Sequence, residues 1–179
     1  MKSLQDFIVN ELKFDLYSKV VLIADHITAA SRSGKIITIF GNGGSASDSQ
    51  HWAAELVCTY GKRDRKAYPA LALTTDTSIL TAWSNDFEFN TVFCRQIEAF
   101  SCVIGLAIGL STSGKSRNVL LGLECASSFG AKTILITGSG APSHNASDHI
   151  IRLPSTDTPT IQTLSQILYH EVCAYLEKT

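Results

Sequence analysis

The chain has 179 residues, 45% of them hydrophobic and 17% charged, which is enough apolar material for one sizeable core and a length in the single-domain range. Fifteen basic side chains stand against sixteen acidic ones for a formal net charge of -1, so no global field draws the molecule to nucleic acid or to an anionic membrane, and any anion site must be local. The apolar runs are too short to span a bilayer, and the opening MKSLQDFIVNELKFDL has no uninterrupted apolar segment ahead of a cleavage-type site, so the expected location is cytoplasmic.

A helix-rich segment at about 3–31 comes first. Five continuous apolar runs then read as strands covered on both faces: KIITIF (35–40), ALALTT (70–75), CVIGLAIGL (102–110), KTILITG (132–138) and the weaker DHIIRLP (148–154). Residues 45–59, 86–99 and 115–128 carry helical periodicity between them, and a long helix is expected over about 157–177. Strands alternating with helices define βαβ units and a parallel sheet. The expected architecture is therefore α/β: a three-layer αβα sandwich on a mostly parallel five-stranded sheet. It forms one domain over 1–179, with an N-terminal helical segment (1–33), the α/β core (34–155) and a C-terminal helix (156–179).

Two loops stand where ligands bind in such sheets, beyond the carboxyl ends of strands. FGNGGSASD leaves the first strand and GLSTSGKS the third, each delivering N–H groups and hydroxyls at the positive end of a helix. Gly109 to Ser116 also fits G-x-x-x-x-G-K-[ST], a nucleotide-binding loop. Against that stand its place after the third strand, the lack of a later strand ending in a good Mg²⁺-binding Asp, and the second glycine-rich loop. A serine-rich turn with a solvent-facing Lys115 is the plainer reading.

His51 and Glu55 lie four apart on the helix after the first loop, about 40° apart around the axis and about 6 Å along it, so they can meet at one point. They are either an exposed polar pair or a metal and proton-transfer pair placed on the ligand side of the sheet. Trp52 and Leu56 read as packing, as do Phe87 and Phe89. Asp86 either caps a helix beginning near 86–88 or faces the ligand. His26, His144 and His149 have no partner pattern and read as structural or surface residues, and His170 is a lone His on the last helix. The five cysteines (Cys58, Cys94, Cys102, Cys125, Cys173) are odd in number and lack C-x-x-C spacing, so they read as small buried hydrophobes rather than disulfides or a zinc ribbon.

GNGGSASDSQHWAAEL, SNDFEFNTVF, LSTSGKSRNV and IQTLSQILYH together resemble the sugar isomerase (SIS) domain, and within it the phosphoheptose isomerases, from about residue 15 to the C-terminus. The resemblance implies a flavodoxin-like SIS fold. It implies that Asn42, Gly43, Gly44 and Ser45 of the first loop and Ser111, Thr112, Ser113 and Ser116 of the second hold a sugar phosphate, with Asn85, Asp86, Glu55 and Gln162 also at the substrate. It makes Glu55 and His170 the catalytic pair, and His51, Glu55, Gln162 and His170 the ligands of a Zn²⁺ ion. A non-catalytic relative, the bacterial regulator of replication initiation, lacks the Glu and the final His, so their presence here implies an enzyme. Lys115 stands where the family usually has a small polar residue, and Thr163 where Glu is common. The implied reaction is isomerisation of sedoheptulose 7-phosphate to the mannoheptose 7-phosphate of bacterial surface polysaccharides. The implied assembly is a homo-oligomer, a tetramer with sites at subunit contacts. Gln162 and His170 would be about 12 Å apart along a straight helix and about 80° apart around it. From that spacing His170 is expected to be offered by one chain to the His51 and Glu55 of another.

Overall fold

The computed structural model of the chain describes residues 14–143 and 145–178. Helix α1 (Leu16–Arg32) leads to β1 (Ile36–Gly41), α2 (Gly44–Val57), a short β2 (Ala70–Ala72), α3 (Thr77–Asp86), a 3-10 turn (Phe89–Thr91) and α4 (Val92–Ala99). Then come β3 (Ile104–Leu110), α5 (Arg117–Ser128), β4 (Lys132–Gly138), β5 (His149–Leu153) and α6 (Thr158–Leu176). The five strands form one sheet in the order β2-β1-β3-β4-β5, every pair parallel. This is the doubly wound α/β order, in which the chain runs outward from β1 to β2 and then crosses back to β3. The carboxyl ends of β1 and β3 are therefore the point where the winding changes direction, and a crevice opens there.

The alternation of the strands divides the apolar side chains between two cores. Ile37, Ile39, Leu106, Ile108, Ile134 and Ile136 meet α1, α2 and α6 on one face. Phe40, Ala107 and Leu135 meet Val92, Phe93 and Ile97 of α4 and Val119, Leu123 and Ala126 of α5 on the other. Ile104 joins the second core although its parity places it with the first. The reason is a register break: Ile36 pairs with Ile104 but Ile37 with Leu106, so one extra residue reverses the face.

Four sequence expectations need correction. The second strand stops at Ala72 instead of Thr75, because Asp76 caps a helix, α3, that was not foreseen; its carboxylate accepts the Ile79 N–H at 3.0 Å. The single helix expected over 86–99 is instead the end of α3, a 3-10 turn and α4, so Asp86 closes a helix rather than capping the start of one. Phe87 and Phe89 are not core: they are 64% and 53% exposed, Phe87 stacking on Trp83 with ring centroids 4.1 Å apart. Of the cysteines only Cys173 is buried; Cys58 and Cys102 are exposed, Cys94 and Cys125 half-buried, and all five are free thiols. The part of the N-terminal helical segment before residue 14, and His144, lie outside the described residues. Among those described, no helix is long and apolar enough to cross a membrane.

Candidate active site

Both loops lie at the crevice, tied together by a pair of amides. Asn42 Nδ2 donates to Asn118 Oδ1 and Asn118 Nδ2 to Asn42 Oδ1, each at 2.8 Å. The Asn42 side chain is therefore spent on joining the loops, and Asn118 is a site residue the sequence reading missed. The N-cap of α2 is Gly43, at φ 55° and ψ -122°, and the N-cap of α5 is Ser116. Neither makes a side-chain hydrogen bond into its helix, which leaves two helix starts open to an anion.

The second loop is a tight turn closed on itself. Gly114, at φ 65°, donates its N–H to Ser111 O at 3.0 Å, and Ser111 Oγ donates to Ser116 Oγ at 3.0 Å. Ser113 Oγ accepts the Lys115 N–H at 3.2 Å. Ser111 is buried, Thr112 and Ser116 half-buried, Ser113 exposed, and Lys115 is solvent-facing as the plainer reading has it. Thr112, Ser113, Lys115, Gly140 and Thr156 line a cavity of about 310 Å³ on this loop. In the first loop Gly43 and Gly44 are exposed and Ser45 is buried.

Helix α6 runs parallel to α2 and packs on it. At its start, the Gln162 amide occupies the space a Cβ on Gly44 would need, so a larger residue there would push that amide aside. Two turns further on, Tyr169 OH lies 2.9 Å from His51 Nδ1, and the His170 ring 5.1 Å from that of His51. Parallel packing resolves the 12 Å problem: residues eight apart on α6 face residues seven apart on α2. His170 thus meets His51 within one chain, and its donation by another subunit is not needed.

The His51 Nε2 to Glu55 Oε1 distance is 3.1 Å. Neutral His51 can donate from Nε2 to Glu55 while Nδ1 accepts from Tyr169 OH. With Nδ1 protonated, Tyr169 takes that proton's hydrogen bond and turns its own O–H to Asp48 Oδ1, 3.5 Å away. Tyr169 is 1% exposed and stacks on buried Trp52, rings 5.5 Å apart, so this relay is fixed by packing. Burial pushes the Asp48 carboxyl above its usual value, opposed by the Tyr169 hydrogen bond and by His51. The His170 imidazole is held below its usual value, mainly by burial and secondly by His51, which favours its neutral form. Its Nε2 is buried with no hydrogen-bond partner. The donor atoms of His51, Glu55 and His170 do not all fall within 4.8 Å of one another, a spacing met among the described residues by one other trio only.

A second support acts from the far end of α6. Glu177 accepts the N–H groups of Tyr60, Gly61 and Lys62 at 2.9–3.1 Å and lies 3.4 Å from Arg65 Nε. Arg65 in turn donates to the carbonyls of Glu55, Leu56 and Lys66. This clamp closes the end of α2 and sets the Tyr60 ring 5.4 Å from His170. Asn85 and Asp86 are exposed at the end of α3 and, within one chain, hydrogen-bond to each other at 2.8 Å. His26 and His149, read as structural, form a pair of their own, Nε2 to Nε2 3.0 Å, between α1 and β5.

A parallel sheet with two uncapped helix starts at its switch point and a His-Glu-Tyr-His cluster on the adjoining helices combines an opening for an anion with groups able to move protons. A sequence profile of the SIS domain matches residues 7–138, and the chain belongs to that family. It is 45% identical over 166 residues to a phosphoheptose isomerase of Aquifex aeolicus, covering 92% of this chain and 86% of that one. It is 41% identical over 172 residues to that of Geotalea uraniireducens, covering 96% and 90%. The solved phosphoheptose isomerase of Neisseria gonorrhoeae superposes with a TM-score of 0.81 at 32% identity, covering 94% of this chain and 90% of that one.

Proposed function

We propose that the protein is a phosphoheptose isomerase, a single SIS domain over its whole length, which converts sedoheptulose 7-phosphate to D-glycero-D-manno-heptose 7-phosphate in the cytoplasm for bacterial surface-polysaccharide synthesis. The observation that carries the reading is the Glu55 carboxylate, held 3.1 Å from His51 Nε2 with the half-buried His170 ring against His51, on a helix whose start, like the neighbouring start of α5, is left open for a phosphate.

In the proposed reaction the phosphate rests on Gly43, Gly44 and the Ser111–Ser116 turn, leaving the carbonyl end of the sugar at Glu55. Glu55 takes the C1 proton and returns it to C2. His170 gives a proton to the carbonyl oxygen and takes one from the neighbouring hydroxyl, with an enediol between the two steps. A neutral imidazole offers one donor and one acceptor, which that exchange needs. Tyr169 and Asp48 hold His51 in whichever tautomer the step requires.

Zn²⁺ is the proposed cofactor. His51, Glu55, Gln162 and His170 would hold it: two imidazoles, a carboxylate and an amide oxygen suit that ion, and the buried, unpartnered His170 Nε2 is a donor waiting for a partner. When bound, the ion supplies polarisation of the carbonyl and stabilisation of the enediolate charge.

The proposed assembly is a homo-oligomer, a tetramer. Supporting it, α3 buries none of its residues in a single chain yet carries Ile79 exposed along its length and Phe87 just past its end. A neighbouring chain on that face would bring Asn85 and Asp86 to a subunit contact, as a substrate role for them requires. Replacing Phe87 by Asp should then shift the mass measured by light scattering to a smaller species and lower activity with it.

The test of the reaction is exchange of the C1 or C2 proton in deuterated water. Wild-type protein should exchange it. Glu55→Gln keeps the size and can still accept from His51, so binding should survive while turnover falls by about 10²–10⁴-fold. Wild-type binding of the heptose phosphate without any exchange would end the isomerase reading.

A further inference from the structure

On the face of the sheet opposite α2 and α6, Cys94 and Glu98 lie one turn apart on α4, and Cys125 approaches them from α5. One ligand atom from each, two thiol sulfurs and a carboxylate oxygen, lie within 4.8 Å of one another. Cys94 Sγ is 3.8 Å from Glu98 Oε1, and Cys125 Sγ is 3.5 Å from the Cys94 carbonyl oxygen. Two sulfurs bound to one tetrahedral ion at about 2.3 Å each stand about 3.8 Å apart, so the trio is within an ångström of a ligand set without moving either helix.

The two oxygens of Glu98 are divided between tasks. Oε2 pairs with Arg95 Nη1 at 3.3 Å, which leaves Oε1 toward the thiols. Arg95 is itself held over the Trp83 ring, 5.0 Å from its centroid. The carboxylate is therefore aimed at the cysteines by a neighbour that is also placed. Cys94 and Cys125 are half-buried while Glu98 reaches solvent, so a fourth position opens to water on the outer side.

We propose that Cys94, Glu98 and Cys125 form a second metal site, separate from the catalytic cluster, which takes Zn²⁺ with a water as fourth ligand and clips α4 to α5. Two thiolates with one carboxylate suit Zn²⁺ better than Mg²⁺ or Ca²⁺, which prefer all-oxygen shells. Binding forms two Zn–S bonds and one Zn–O bond and releases the two thiol protons to solvent.

Cobalt separates this site from the catalytic one, whose donors are nitrogen and oxygen. Wild-type protein, freed of metal with a chelator and kept reduced with a phosphine, is titrated with Co²⁺ and followed by absorption. The expected result is a thiolate-to-cobalt charge-transfer band, abolished by Cys94→Ser and by Cys125→Ser, unaffected by Cys58→Ser or Cys173→Ser, and bleached by added Zn²⁺. Glu98→Gln should keep the band but weaken Co²⁺ binding about tenfold or more. The measurement on wild type stands whether or not any variant folds. A wild-type titration without a thiolate band overturns the proposal, as does a band that survives in Cys94→Ser and disappears in Cys58→Ser or Cys173→Ser.

Discussion

Apart from α4, which continues straight out of the 3-10 turn with Thr91 at an uncapped start, the helices of this molecule begin in two ways. Helices α1, α3 and α6 are each capped by an aspartate: Asp15 accepts from Ser18 N, Asp76 from Ile79 N and Asp157 from Thr160 N. Helices α2 and α5, which start at the carboxyl ends of β1 and β3, have Gly43 and Ser116 at the cap and no side-chain bond there. An Asp cap satisfies an orphan N–H and places a negative charge on the positive end of the helix dipole. The capped starts thus carry their own anion, and the open ones leave the same position for the phosphate of a ligand. A third case shows the device filled from within the chain: the successive N–H groups of Tyr60, Gly61 and Lys62 hold the Glu177 carboxylate.

The strongest way to break this comparison is to give an open helix the cap it lacks. Ser116→Asp should bond into α5 and hold or raise the thermal midpoint. The same charge should repel the sugar phosphate and raise KM on the order of a hundredfold, since like charges at a binding surface cost several kcal/mol. Steady-state kinetics beside a melting curve reads both effects. An unchanged KM would mean that the α5 start is open for some reason other than phosphate.

How much of this was legible in the sequence depends on the distance over which each feature is written. The five strands are continuous apolar runs of a few residues, and all five are found where those runs lie. The two loops are equally local. Helix α3 escaped notice because TSILTAWSND carries only a short apolar stripe, Leu80 and Trp83, and in the single chain that stripe packs on the second core without being fully buried. His51 and Glu55 are one turn apart, so their pairing follows from spacing. Tyr169 lies 118 residues from His51, and Glu177 lies 116 from Gly61, so those supports exist only once α6 has packed along α2. The same limit hides where His170 lands within one chain, because helix geometry alone gives the separation of Gln162 and His170 but not the parallel helix that each of them faces. The Cys94, Glu98 and Cys125 trio is hidden likewise, its two thiols sitting on different helices.

A smaller effect is expected at the internally filled nest. Glu177→Ala leaves three N–H groups and Arg65 Nε without their acceptor, and the cost should be about 2 kcal/mol in urea unfolding. Because Arg65 also fixes the carbonyls of Glu55 and Leu56, the loss should extend to kcat by a few fold, with KM little changed since neither phosphate loop is touched. Glu177→Gln, which keeps one acceptor oxygen, should recover part of both. A Glu177→Ala variant with wild-type stability would show that the nest does not need its anion, and would weaken the parallel with the open helix starts.

The smallest effect belongs to the capped class and sets its limit. Asp157→Ala removes the acceptor of the Thr160 N–H (3.0 Å) and Thr160 Oγ1 (2.7 Å) at the start of the helix that carries Gln162 and His170. The thermal midpoint should fall while KM for the sugar phosphate stays put, the reverse of Ser116→Asp. The pH dependence fixes the cause. The Thr160 hydrogen bonds hold the Asp157 carboxyl below its ordinary value of 3.8, so the unfolded chain binds the proton more readily than the folded one. Stability from this group is therefore fully present above that value and is lost as pH falls through the lower folded one. The gap between wild type and Asp157→Ala should be constant at neutral pH and close only in acid, below pH 3.8. A gap that closed near neutrality would point to a histidine instead. One accompanied by a raised KM would show that an aspartate cap, too, reaches the substrate, and the division between capped and open starts would not hold.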